Sequence, residues 1–262
     1  MFRWSINLFR VAGIRLELHV SFLLLLAYAA CTGASEAGTA GLVWVTGFFI
    51  LLFTCVVAHE LGHCLVARRF GVKVGRILLL PIGGMAEFDS IPRRSGQEIA
   101  IALAGPAVNF ALIGLLFLVG VRFPGDWEPM ELPLHLAELG RHLVILNLVM
   151  GCFNLIPVFP MDGGRVLRAV LAWRMPYLRA TWIAATVGKI FAVIGAITMI
   201  WLFEHWLGAL LFLFIFVVGE MEYRAVRRRE QEVARWRRVL EYYAAPPPPV
   251  VEIGAAPPRS DV

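Results

Sequence analysis

Six long segments of the sequence carry few charged residues, and they constrain the fold more than any other feature. They cover residues 20–32, 42–67, 98–121, 143–159, 182–203 and 206–219. A helix rises about 1.5 Å per residue, so about 20 apolar residues cross the roughly 30 Å hydrocarbon core of a bilayer. Only 16% of the residues are charged and 59% are hydrophobic, which lies outside the usual composition of soluble domains. The sequence therefore predicts an all-α polytopic membrane protein with about six transmembrane helices.

The distribution of lysine and arginine predicts the orientation of these helices. Of the 24 basic residues, 21 lie before the first segment, after the second, after the fourth or after the sixth. Basic residues close to membrane spans stay on the cytoplasmic side. We therefore expect a multi-pass plasma-membrane protein with both termini in the cytoplasm and the lipid bilayer as its surroundings. The basic residues are spread over several loops, which argues against a nucleic-acid partner.

The second segment contains the sequence HELGH, which places His59, Glu60 and His63 inside an apolar helix. Residues four apart share one face of a helix, so the two histidines can bind one ion together, and the H-E-x-x-H pattern is typical of zinc metallopeptidases with the glutamate as general base. An ionisable residue inside a span costs about 2.5 to 3.5 kcal/mol and usually indicates a function. The alternative is a pair of neutral, hydrogen-bonded histidines beside a protonated Glu60. Because His59 precedes Arg68 by about 13 Å of helix, we expect the site to open towards the cytoplasm.

Asp162 is the candidate for a third ligand, since a catalytic zinc site usually has three protein ligands. It lies in NLIPVFPMDGG, where Pro157 and Pro160 interrupt a helix. Broken backbone at membrane depth is tolerated where it is buried in protein or lines a cavity, and Asp162 is predicted on the same side of the membrane as the histidines. Taken alone, Asp162 is equally consistent with the N-cap of the following helix. Glu87 and Asp89 are the nearest competing carboxylates.

Three motifs in this order, HELGH, AGPAVN and NLIPVFPMDGG, resemble those of the site-2 protease family of intramembrane zinc metalloproteases. The resemblance covers about residues 2–223. It implies that His59, His63 and Asp162 bind one zinc ion per chain and that Glu60 is the catalytic base. It also implies regulated intramembrane proteolysis of transmembrane protein substrates. Many members carry a CBS or PDZ domain, and we expect this form to be regulated without either.

The segment ILLLPIGGMAEF, residues 77–88, predicts a β-hairpin or loop between the second and third spans. In the family that it resembles, the corresponding loop dips into the membrane. Gly83 and Gly84 are candidate substrate-binding residues there, because an exposed strand edge can hold an extended peptide by β-augmentation. The alternative is a cytoplasmic loop packed on lipid headgroups.

Two asparagines in apolar segments are further candidates for the site. Asn109 in AGPAVNF is expected to pack between helices and to support the metal ligands from behind, since a membrane asparagine usually finds an interhelical partner. Asn154 lies eight residues before Asp162 and is a candidate for contacting the substrate carbonyl. A purely structural amide is the alternative for Asn154.

Composition divides the chain into three parts. Residues 1–222 are predicted to form the transmembrane metalloprotease domain, 223–243 a charged cytoplasmic helix and 244–262 a disordered proline-rich tail. The charged helix either lies on anionic headgroups or is solvated.

Two other functions remain open from the sequence. An ion-coupled transporter also places histidines and carboxylates at broken helices, although no repeat relates the two halves of this chain. A catalytically inactive pseudoprotease would bind membrane proteins through the same motifs without cutting them. Substrate identity and oligomeric state are not predicted.

Overall fold

The computed structural model describes residues 4–81, 83–89, 92–122, 136–201 and 206–244. In chain order the described elements are β1 Ser5–Val11, β2 Ile14–His19, α1 Val20–Arg69, β3 Val74–Leu80, β4 Gly83–Phe88, α2 Ser95–Leu118, α3 Leu136–Asn154, α4 Asp162–Ala172, α5 Tyr177–Trp201 and α6 Trp206–Ala244.

Helix α1 is a helical hairpin. Its helical geometry is interrupted at Ala37 and Gly38, and Gly38 has a positive φ of 58° that favours glycine. The ring centroids of Phe22 and Phe53 lie 4.3 Å apart, whereas a straight helix would separate these residues by more than about 45 Å. The two arms, residues 20–36 and 39–69, therefore run antiparallel and contain the first two apolar segments.

Four described helices, α1, α2, α5 and α6, are long and apolar enough to cross a membrane by length and composition. Helix α3 contains most of the fourth apolar segment and ends at Asn154. The described fold is thus mostly helical with several apolar helices, as expected of a multi-pass membrane protein. The count of six spans stays a prediction.

Helix α6 continues from its apolar half into its charged half without a break, and it ends at Ala244. The segment at 223–243 is therefore helical and extends the sixth apolar segment. Residues 245–262, which include most of the predicted proline-rich tail, lie outside the described residues. The division into three domains stays a prediction.

A four-stranded sheet lies beside α1, in the order β1-β2-β3-β4. Strands β3 and β4 form an antiparallel hairpin between α1 and α2 in the chain, and β2 pairs with β3 in parallel. The membrane-associated position of this hairpin stays a prediction. The predicted fold class lacked β1 and β2. Their signal is the alternation of Ile14, Leu16 and Leu18, which are all buried in a cluster with Phe22 and Phe53 of α1.

The opposite face of the sheet carries a row of polar side chains, one from each strand. Ser5 donates to Glu17 at 2.8 Å, and Arg76 donates to Glu17 at 2.5 Å and to Glu87 at 2.8 Å. Burial raises the pKa of Glu17, but the hydrogen bonds from Ser5 and Arg76 outweigh this effect and hold the pKa below its ordinary value. The ionised carboxylate therefore links β1, β2 and β3 across the sheet.

The segment between α3 and α4 is irregular and packed into the protein. Val158 and Phe159 are each 2% exposed, as expected for irregular backbone at membrane depth. A Cβ atom on Gly163 would lie 2.3 Å from the backbone carbonyl oxygens of Leu155 and Ile156. The glycine therefore lets the first turn of α4 pack directly on this segment, and Asp162 begins the helix at that point.

Candidate metal centre

The second arm of α1 and the start of α4 bring His59, His63 and Asp162 together. The Nε2 atoms of the two histidines lie 3.1 Å apart, and Asp162 Oδ2 lies 3.3 Å from His59 Nε2 and 3.1 Å from His63 Nε2. All three residues are buried. The spacing of four residues places the two imidazoles on one face of α1, and the interrupted segment before α4 brings in the carboxylate.

Hydrogen bonds on the far side of each imidazole fix its tautomer. His59 Nδ1 lies 2.5 Å from Asn109 Oδ1, and His63 Nδ1 lies 2.7 Å from the backbone carbonyl oxygen of Ile101. These oxygens can only accept, so each Nδ1 donates its proton. In the neutral imidazole the Nε2 atom then carries a lone pair. Both lone pairs face the carboxylate oxygen of Asp162.

This arrangement fits a bound cation. With both imidazoles neutral and protonated on Nδ1, the site presents three acceptor atoms within 3.1 to 3.3 Å of one another. Asp162 Oδ2 is buried without a hydrogen-bond donor among the described residues. Buried lone pairs and charge of this kind are stable only when they are paired or bind a metal. Two histidines and one carboxylate are an established ligand set for zinc, with a fourth position left for water. His59, His63 and Asp162 therefore fit a catalytic zinc ion.

Helix α2 closes one side of the site through Gly105. A Cβ atom on Gly105 would lie 2.3 Å from His63 Nε2 and 2.7 Å from His59 Cε1. A glycine is therefore required at this position if both imidazoles are to keep their places.

Glu60 lies beneath strand β4. A Cβ atom on Gly84 would lie 2.5 Å from Glu60 Cγ and 3.3 Å from Glu60 Oε1. Strand β4 is the last strand of the described sheet, and the face of Gly84 in this strand is turned towards the glutamate. Gly83 opens this strand with a φ of 136°, which favours glycine.

The other residues predicted from the sequence have different partners in the structure. Asn109 contacts His59, as described above. The amide nitrogen of Asn154 donates to the backbone carbonyl of Met150 at 3.0 Å, one turn earlier in its own helix. The competing carboxylate of Glu87 pairs with Arg76 on the exposed face of the sheet. Asp162 is not the N-cap of α4, since Met161 takes that position without a side-chain cap.

Asn147 is a residue of the site that sequence reasoning missed. Asn109 Nδ2 donates to Asn147 Oδ1 at 2.9 Å, which orients Asn109 Oδ1 towards His59. Asn147 Nδ2 in turn donates to the carbonyl of Leu143 at 2.8 Å. Its signal was the same as that of Asn109, an asparagine within an apolar segment.

Comparison with known families and proteins gives a consistent result. The model for peptidase family M50 matches residues 47–142 and 134–195. Zinc metalloprotease MJ0392 of Methanocaldococcus jannaschii is 43% identical over 227 residues, covering 85% of this chain and 62% of that protein. Putative zinc metalloprotease Rip3 of Mycobacterium tuberculosis is 32% identical over 202 residues, covering 73% of this chain and 50% of that protein. The chain thus spans between half and about three fifths of the length of these two relatives.

A solved structure also matches. The site-2 protease from Methanocaldococcus jannaschii aligns with a TM-score of 0.58 and 39% sequence identity, and the alignment covers 84% of this chain and 95% of that chain.

Proposed function

The chain belongs to peptidase family M50, and on this basis we propose that it is an intramembrane zinc metalloprotease. It hydrolyses peptide bonds in or near the transmembrane segments of membrane proteins. The observation that carries this proposal is the convergence of His59 Nε2, His63 Nε2 and Asp162 Oδ2 beside a glutamate of the same α1 turn.

His59, His63 and Asp162 would hold the zinc ion, with one ion per chain. Bound there, zinc would polarise the substrate carbonyl and lower the pKa of a water ligand towards about 7. Glu60 accepts the proton of the attacking water and donates it to the amine as the carbon–nitrogen bond breaks. Asn109 and the carbonyl of Ile101 keep both Nδ1 atoms protonated, so both Nε2 atoms stay available as ligands.

The free edge of β4 supports a proposal for how the substrate binds. A peptide bond inside a helix is shielded by its own hydrogen bonds, so the substrate must unwind locally before it is attacked. An extended segment can then pair with the free edge of β4, next to Gly83 and Gly84. This position places the substrate backbone beside Glu60, since Gly84 contacts that side chain. Asn154 is proposed to hydrogen-bond the same segment further along.

The topology proposed from the sequence is compatible with this mechanism. Both termini are cytoplasmic, the protein lies in the plasma membrane and the active site opens towards the cytoplasm. The charged end of α2, the start of α4 and the charged half of α6 then share the cytoplasmic side, in agreement with the distribution of basic residues.

Substitution of Glu60 by glutamine tests the function. We expect Glu60→Gln protein, purified in detergent, to keep the same zinc content as the unmodified protein, because Glu60 is not a proposed ligand. Cells that carry this variant should accumulate uncut single-span membrane proteins, which comparative membrane proteomics measures. An identical set of membrane protein fragments with both forms, each loaded with zinc, would support a pseudoprotease instead.

A further inference from the structure

A second buried polar cluster lies on α4, outside the metal centre. Arg168 is 1% exposed. Its Nε and Nη2 atoms donate to Glu98 Oε1 of α2 at 2.8 and 2.5 Å. Its Nη1 atom donates to Glu222 Oε1 of α6 at 2.6 Å.

Two aromatic rings complete the surroundings of this guanidinium group. Its central carbon lies 5.1 Å from the ring centroids of both Phe159 and Tyr177, within the range of cation–π attraction. Phe159 belongs to the interrupted segment directly before α4, and Tyr177 begins α5. Arg168 therefore contacts both the segment that precedes α4 and the helix that follows it.

Stability alone does not explain this cluster. Replacing a buried ion pair by apolar residues of similar volume is often neutral or stabilising, because the pair must be removed from water. Buried pairs are retained in some proteins because they fix one arrangement of the elements that they join. The position of this pair in the fold indicates which arrangement it fixes.

Glu98 belongs to the helix that orients both histidines. Three residues after it, the carbonyl of Ile101 accepts the hydrogen bond from His63. Further along α2, Gly105 touches both imidazoles and Asn109 accepts the hydrogen bond from His59. Helix α2 therefore holds the side chains of both histidine ligands in position.

Asp162 Oδ2 receives no hydrogen bond from the described residues. The backbone of α4, which begins at Asp162, therefore contributes to the position of this carboxylate. Arg168 follows it by six residues, about 9 Å along the helix axis. A rigid helix over that distance transmits the position of the guanidinium group to Asp162.

We propose that Arg168 is a positioning residue for metal binding: its two hydrogen bonds to Glu98 hold α4 against α2 and so keep Asp162 in register with His59 and His63. This inference rests on the proposed function, since it assigns Asp162 to the metal. Glu222 contacts the same guanidinium group from α6, and its side chain is 36% exposed. It does not belong to α2 and is not needed for this alignment.

The comparison of Glu98→Gln with Glu222→Gln tests the proposal. Each substitution removes one carboxylate from the same arginine and preserves side-chain volume. The full chain in detergent is freed of metal and titrated with Co²⁺, whose visible absorption reports both affinity and ligand set. We expect Glu98→Gln to weaken Co²⁺ binding by about 10- to 100-fold and to alter the absorption spectrum. Glu222→Gln should stay close to the unmodified protein.

Arg168→Lys provides a second variant. It keeps the positive charge but cannot form the paired hydrogen bonds of a guanidinium group, so it should weaken Co²⁺ binding as Glu98→Gln does. Thermal unfolding of each metal-free protein is measured in parallel, which separates a loss of stability from a loss of register.

Four results would overturn the proposal. Glu98→Gln protein that unfolds at a lower temperature but binds Co²⁺ like the unmodified protein would show a structural role only. Equal weakening by Glu98→Gln and Glu222→Gln would show that the charge of the cluster matters and the link to α2 does not. Failure of Glu98→Gln alone to give folded protein would assign the pair to folding. An unmodified protein that binds neither Co²⁺ nor Zn²⁺ would overturn the proposed function and this inference together.

Discussion

Replacing Gly105 by alanine should strongly weaken metal binding while the rest of the fold persists. The added Cβ atom would lie 2.3 Å from His63 Nε2, and ordinary van der Waals contact begins at 3.4 Å. One of the two groups must therefore move by about 1 Å. Neither group can move freely. The His63 side chain is held because its Nδ1 atom donates to the carbonyl of Ile101 in α2, and Gly105 is held because the backbone of α2 packs on α1.

The size of this displacement determines the expected effect. Metal–ligand distances in working sites vary by only about 0.2 Å, so a shift of 1 Å at His63 removes it as a ligand. His59 is also affected, since its Cε1 atom would lie 2.7 Å from the new methyl group. Two of three proposed ligands are disturbed, and we expect zinc affinity to fall by more than about 100-fold, beyond the range for residues that only support a ligand. Overpacking should lower the free energy of unfolding by about 1 to 3 kcal/mol.

Gly114→Ala is the matched control, because it makes the same substitution in the same helix, where the added Cβ atom would meet no described atom within 4 Å outside the neighbouring backbone of α2. Zinc affinity is measured by competition with a chelator on protein purified in detergent, and stability by thermal unfolding of the metal-free form. Gly114→Ala should bind zinc like the unmodified protein. Folded Gly105→Ala protein with unchanged zinc affinity would refute the geometry of the site.

Three further substitutions test the other parts of the structure. Gly84→Ala places a Cβ atom 2.5 Å from Glu60 Cγ. Cleavage of substrates in membranes should therefore be lost, while the zinc content, measured by mass spectrometry, is kept. Retained cleavage would contradict the contact between β4 and the proposed base. Asn109→Ala removes the acceptor that orients His59, and zinc affinity by chelator competition should fall by about 10- to 100-fold; an unchanged affinity would contradict that role. The pKa of Glu17 is lowered in the folded protein, so its contribution to stability is present above the unfolded pKa of about 4.3 and is lost as the pH falls through the lower folded value. The thermal unfolding temperature of Glu17→Gln protein should therefore fall less at acid pH than that of the unmodified protein. Identical pH profiles would show that the ionised Glu17 carboxylate does not contribute to stability.

The first half of the metal centre could be predicted from the sequence because one helix forms it. The spacing of His59 and His63 places both on one face by helical geometry alone. Asp162 lies far along the chain, and its place in the site depends on how α4 packs on α2. A broken, glycine-rich segment pointed to it, but only the tertiary structure brings its Oδ2 atom within 3.3 Å of both imidazoles.

The strands β1 and β2 were missed for a different reason. Six residues from Ile14 to His19 give a weak alternating pattern, and Arg15 and Glu17 within it are typical of a polar connection.

Arg168 shows why buried charge is difficult to assign from a membrane protein sequence. In the sequence, Arg168 is one of the basic residues after the fourth apolar segment, and these residues predict a cytoplasmic location. In the structure, its side chain is 1% exposed and lies between three helices. The positive-inside pattern depends only on the number of basic residues near each membrane face, so it does not distinguish a solvated arginine from a buried one. A buried arginine requires a buried carboxylate partner, and Glu98 at the start of an apolar helix is the corresponding anomaly. Arg168 of α4 and Glu98 of α2 are these two partners, and their contact joins the two helices. The register of Asp162 is proposed to depend on that contact.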